Sequence, residues 1–197
     1  MRNRVILKKI IGLVFIGFGL SILFASILVN IRQQVSQKQL IEQFNEMVQK
    51  TASSETEEEY STLNPADEGE LIYNLRIPSI DSENPVCEGT SREVLRDSLG
   101  HQTGTAYIGE NGNCVIAGHR NYTFGKFFNR LDEVRVGDII YVDTKNDTRE
   151  YRVKEIKVVE PTDTSVLDDT ENEQLTLYTC TPIYVATHRL VIISEPL

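Results

Sequence analysis

The chain has 197 residues, 40% of them hydrophobic and 25% charged, which is the balance of a globular protein rather than a disordered or fibrous one. Lys and Arg number 20 against 29 Asp and Glu, a net charge of -9; an acidic chain without a basic patch excludes nucleic acid as a partner, because phosphate contacts supply most of that affinity. Three cysteines are too few, and odd in number, for a disulfide framework.

Residues 1–9 are a short basic segment with Arg2, Arg4, Lys8 and Lys9. Residues 10–31 (IIGLVFIGFGLSILFASILVNI) carry no charge. As a helix they reach about 33 Å, enough to cross a hydrocarbon core of about 30 Å. The stretch exceeds the apolar region of a signal peptide, about 7–15 residues, and lacks a small-x-small cleavage site, so a retained transmembrane helix is predicted. The basic residues ahead of it outnumber Arg32 and Lys38 close behind, which predicts a cytoplasmic N-terminus and an extracellular remainder.

Residues 32–70 read as a helical stalk and an acidic linker. Leu40, Ile41, Phe44, Met47 and Val48 recur at helical spacing, a stripe suited to the following domain, a second copy or a lipid surface. Thr51 to Glu59 (TASSETEEE) reads as a solvated spacer or a regulatory flap.

Residues 71–197 form a folded domain of 127 residues with 13 basic and 20 acidic side chains. Strand signals dominate: LIYNLRI at 71–77, TAYI at 105–108, CVIAG at 114–118, DIIYVDT at 138–144, REYRVKEIKVVE at 149–160, QLTLYTC at 174–180 and RLVIIS at 189–194. Lys145 to Thr148 reads as a hairpin turn. Thr90-x-x-Glu93 has the form of a capping box for a helix that Gly100 closes, and a second short helix is expected over Lys126 to Arg130. Short strands separated by turn signals predict an all-β barrel or sandwich. No apolar run after Ile193 is long enough for another membrane span.

The reactive side chains are few. Cys114 lies inside an apolar strand, where a small buried thiol is expected, and nothing beside Cys87 would activate it. Cys180 ends the strand LTLYTC immediately before Thr181-Pro182, which cannot continue a regular ladder. Alternation puts Leu175, Leu177 and Thr179 on one face and Thr176, Tyr178 and Cys180 on the other. A thiol becomes a good nucleophile beside a base or a cation. His119 follows a strand end in VIAGHR, with Gly118 removing bulk beside it, and Arg189 opens the strand after Cys180. A loop can return Arg189 antiparallel to Cys180, where a guanidinium could hold a carbonyl or an oxyanion. His101 and His188 are the other imidazoles.

The string TLYTC at 176–180 resembles the TLxTC signature of the sortases, the cysteine transpeptidases of Gram-positive surfaces. IAGHR at 116–120 is similar to the segment bearing the sortase histidine, and Gly100-His101 with GTAYIG resembles the strand ahead of it. IPSID, PTDTSVLDD at 161–169 and THRLVI extend the likeness in order across residues 71–197. The resemblance implies an eight-stranded sortase β-barrel with a few short helices, tethered by an N-terminal transmembrane helix. It implies His119, Cys180 and Arg189 as the catalytic residues, Thr176, Leu177 and Thr179 as substrate-binding or supporting residues, and His101 as a second, non-catalytic histidine.

The implied reaction cleaves an LPxTG-like motif after Thr and transfers the acyl group to an amine of a peptidoglycan precursor. Its partners are then secreted proteins that bear the motif, with the enzyme single-pass in the cell membrane. The short TPIYVAT loop lacks the insertion expected of class B. No Asp-Pro-aromatic lid precedes Leu71, and a single N-terminal anchor argues against most class C members. The sequence looks most like class D, with class A next. Calcium-stimulated class A enzymes place several carboxylates between the strands flanking the histidine segment; residues 109–113 here hold one acid, so no metal and no cofactor are expected. Two alternatives stand beside this reading. One is a purely hydrolytic cysteine peptidase, although His119 precedes Cys180, opposite to the papain order. The other is a non-enzymatic, membrane-tethered surface β-domain with an unreactive thiol.

Overall fold

Strand β1 (Leu71–Ile77) is buried along almost its whole length, while β5 (Ile139–Asp143) alternates between half-buried and buried positions, as a strand with one face on a core must. A computed structural model describes residues 2–53, 65–120 and 127–197. The remaining strands are β2 (Ser82–Glu88), β3 (Leu99–His101), β4 (Asn113–Ala117), β6 (Thr148–Val159), β7 (Gln174–Thr181) and β8 (His188–Pro196). They close into a barrel in the order β1-β2-β3-β4-β7-β8-β6-β5. Closure leaves no open sheet edge among the described residues. Two neighbouring pairs, β2 with β3 and β4 with β7, run parallel; the others run antiparallel. Leu75, Ile77, Val86, Leu99, Ile116, Ile140, Leu175, Leu177 and Ile192 fill the interior.

The helix α1 runs unbroken from Arg2 to Ser53. Two compact units divide the chain, Met1–Lys38 and Gln39–Leu197. In the first, Phe15, Phe18, Leu23 and Phe24 are exposed, and the helix is long and apolar enough to be a candidate membrane span. In the second, the end of α1 joins the barrel. Phe44 is buried with Leu71, Cys87 and Val94, and Leu40, Met47 and Val48 pack against them. Of the surfaces open to the stalk stripe, it takes its own domain. The acidic tract from residue 54 onward lies outside the described residues.

Several local expectations shift. TAYI at 105–108 is irregular loop rather than strand, because only Ala106 N reaches a strand backbone, donating to Asn113 O of β4, while its other donors go elsewhere. Thr105 N donates to Gln102 O, Tyr107 N to the Glu110 carboxylate and Ile108 N to the Tyr73 hydroxyl. The helix α2 (Arg92–Asp97) is capped by Ser91, whose hydroxyl accepts from Val94 N, and not by Thr90. Gly100 does not close that helix but lies in β3, where an added Cβ would sit 2.3 Å from the Gly89 carbonyl oxygen. The helix expected over 126–130 is not formed in its described part: residues 127–130 are turn, followed by a 3-10 turn at Leu131–Glu133, and residue 126 lies outside the described residues.

Candidate active site

Three strand ends build the site. β4 and β7 are parallel and in register, Ala117 beside Tyr178, and Gly118 N extends the ladder by donating to Tyr178 O. His119 therefore stands at the level of Cys180. Across the other edge of β7, Cys180 is the direct antiparallel partner of Arg189 in β8. Cross-strand partners project to one face, so the sulfur and the guanidinium share a side of the sheet. Leu175, Leu177 and Thr179 are buried, whereas Tyr178 and Cys180 are half-buried, so the thiol faces away from the leucines. His119 is exposed and Arg189 half-buried. The structure thus brings His119, Cys180 and Arg189 to one rim of the barrel.

The supporting residues divide by role. Thr179 Oγ1 donates to Gly118 O at 2.7 Å, tying β7 to the segment that carries His119. Leu177 is core. Thr176 Oγ1 donates to Asn113 Oδ1 at 2.7 Å, at the opposite end of β7 from Cys180, where it braces β4 against β7. Gly118 is required by close approach: an added Cβ would sit 2.5 Å from Leu99 Cδ2 and 2.6 Å from Phe128 Cδ2.

The electrostatics separate the thiols. Burial pushes the Cys114 thiol far above its ordinary value, with Glu173, Glu88 and Glu110 adding to the effect. Burial also raises Cys87, opposed by a hydrogen bond with Ser98. Both thiols stay protonated and inert near neutral pH. Burial raises the Tyr178 phenol as well; Arg189 pulls it down and Cys180 pushes it up, which marks Tyr178 as a neighbour of both. Among the other histidines, His101 is fully buried against Glu88, and His188 Nε2 lies 3.2 Å from Glu160 Oε1. Among the described residues, no group of three or more His, Cys, Asp and Glu is placed to hold a metal ion.

Two residues absent from the expectations touch this rim. Arg120 Nη1 donates to Thr181 Oγ1 at 2.8 Å, and Arg120 Nη2 lies 2.7 Å from Asp132 Oδ2. Their one signal in the sequence is adjacency, since Arg120 follows His119 and Thr181 follows Cys180. A concavity of about 520 Å³ lies at the other end of the barrel, where β1 begins and the β5–β6 hairpin turns, lined by residues including Tyr73, Tyr107 and Lys145.

The family model described as Sortase domain matches residues 75–197. The chain belongs to the sortase family. It is 30% identical over 192 residues to sortase D of Bacillus subtilis, covering 89% of this chain and 90% of that one. It is 31% identical to sortase A of Staphylococcus aureus over 71% of this chain and 69% of the relative. Among solved structures, a sortase D5 transpeptidase of Clostridium perfringens superposes with a TM-score of 0.65 at 30% identity, covering 84% of this chain and 98% of that one. Sortases are cysteine transpeptidases, and this one acts in attaching proteins that carry a sorting signal to amine acceptors of the cell wall. The class D resemblance is consistent with these relatives.

Proposed function

We propose that the enzyme uses Cys180 as nucleophile, His119 as proton carrier and Arg189 as oxyanion partner to exchange the amide after Thr in an LPxTG-like motif. The observation that carries this reading is the direct cross-strand pairing of Cys180 with Arg189, at the strand end that His119 shares. Cys180 Sγ attacks the threonine carbonyl, and the Arg189 guanidinium holds the developing oxyanion. The C–N bond breaks as His119 protonates the departing amine, leaving a thioester. An amine of a peptidoglycan precursor then attacks, gives its proton to His119 and expels the thiolate. The covalent intermediate divides one difficult exchange into two easier steps. Water as acceptor makes the same step hydrolysis.

The domain acts outside the cell in this reading, with residues 10–31 spanning the membrane and residues 1–9 in the cytoplasm; the basic excess ahead of the apolar segment supports that orientation. Residues 32–70 connect the span to the catalytic domain of 71–197.

The test is acyl-enzyme capture with an LPxTG peptide, read by mass spectrometry. Cys180→Ala abolishes the adduct, whereas Cys87→Ala and Cys114→Ala retain it. An adduct that persists in Cys180→Ala overturns the assignment. Activity is unchanged by chelation; a calcium requirement overturns the metal-free reading.

A further inference from the structure

Each of the two residues flanking Cys180 is hydrogen-bonded to one of the two residues flanking His119. On one side, Thr179 Oγ1 donates to Gly118 O at 2.7 Å. On the other, Arg120 Nη1 donates to Thr181 Oγ1 at 2.8 Å. The nucleophile and the imidazole are thus enclosed between two rungs that cross from the segment just after β4 to β7. The first rung uses a backbone carbonyl and belongs to the sheet. The second lies beyond the last paired residues of β4, where the ladder no longer holds the strands together.

The second rung is built at a cost. The Arg120 side chain is only 8% exposed, although a guanidinium is always charged. Asp132, in the turn at Leu131–Glu133, balances one end, while the buried Nε–H has no partner among the described residues. Burying a charge with one donor unmatched is unfavourable, so fold stability alone is a poor reason for it. What the side chain does hold is the spacing of two chain segments. Phe128 N donates to His119 O at 3.3 Å, fixing the histidine backbone from the other direction.

We infer that Arg120 and Thr181 are positioning residues for the transpeptidation, locking the imidazole to the thiol across β4 and β7 at the end where sheet pairing stops. They act through His119 and Cys180. This rests on the assignment of those two residues above. Misplacing reacting groups by about 1 Å can cost on the order of 100-fold in rate, without a matching effect on substrate binding.

The experiment measures kcat and KM for peptide transfer with the full chain, with melting temperatures alongside. Thr181→Val removes the acceptor and nearly preserves volume; Thr181→Ser keeps the hydroxyl. The expected result is a fall in kcat of about 10- to 100-fold in Thr181→Val and Arg120→Ala, with KM within about twofold, and near-native kcat in Thr181→Ser. Native kcat in folded Thr181→Val overturns the inference, as does an equal loss in Thr181→Ser. If Arg120→Ala does not fold, the two threonine variants decide alone. A wild-type enzyme that forms no Cys180 adduct would instead sink the parent assignment, so the two failures are told apart.

Discussion

His101 Nδ1 lies 2.6 Å from Glu88 Oε2, with both side chains shut away from solvent. The second ring nitrogen faces the Ala106 carbonyl at 3.0 Å, the ring stacks on Tyr107, and Thr103 Oγ1 donates to the other Glu88 oxygen at 2.7 Å. Both nitrogens are engaged, at the end of β3 away from Cys180. This imidazole is a fastening between β2 and β3.

His101→Ala therefore damages stability and spares chemistry. Leaving a buried polar group without its hydrogen-bond partner costs about 1–3 kcal/mol. Urea unfolding checks the loss, and acyl-enzyme capture below the lowered melting point checks the chemistry. A change under about 1 kcal/mol contradicts the fastening role.

Gly118→Ala is expected to destabilise by about 1–3 kcal/mol, the range for overpacking a filled interior. The new methyl meets Leu99 and Phe128, both fully buried, at distances that force a shift. Because Gly118 also bonds Thr179 and Tyr178, the shift reaches the thiol strand. Transfer activity falls with stability, measured by kcat beside the urea midpoint. Native values in both overturn the prediction.

Asp143 supplies a pH dependence. Burial works against its ionisation, yet hydrogen bonds from Arg76 and Thr148, with the charge of Arg76, outweigh it and hold the carboxyl below the usual range. A depressed carboxyl contributes stability above its unfolded value of about 3.9, and that contribution is lost as pH falls through the lower folded value. Asp143→Asn should therefore lose less stability than wild type below about pH 4. Urea midpoints at pH 5, 4 and 3 test it, and parallel curves refute it.

Phe44→Ala tests the packing of the helix end. The ring is 1% exposed among Leu71, Cys87 and Val94, so its truncation should cost about 3–5 kcal/mol. Faster proteolysis within residues 39–53 should accompany it. Unchanged protection would mean that the ring contributes little to holding the helix end.

Much of the fold was legible because strands with strong alternation and clear turns announce themselves: β5, β6, β7 and β8 appear at nearly their observed bounds. β2 did not, since Pro85 lies in its middle and Asn, Ser and Glu surround it. Its register with β1 is a tertiary effect that no local pattern carries. TAYI misled in the opposite sense: it has strand-forming residues whose backbone groups are claimed by Glu110 and Tyr73. At the rim, Cys180 and Arg189 could be paired from loop length and alternation. Arg120 could not be assigned that way, because its partners Thr181 and Asp132 meet it only once β4, β7 and the intervening turn are assembled.

The parallel contact of β4 with β7 joins segments 61 positions apart. A ribosome releases the imidazole well before the sulfhydryl, and the strand bearing the latter must slot between two others to reach it. Long-range pairing of this kind forms slowly and late. On the mechanism proposed above, the nascent chain accordingly carries its nucleophile without the imidazole and guanidinium beside it, and the three groups meet only when the barrel shuts.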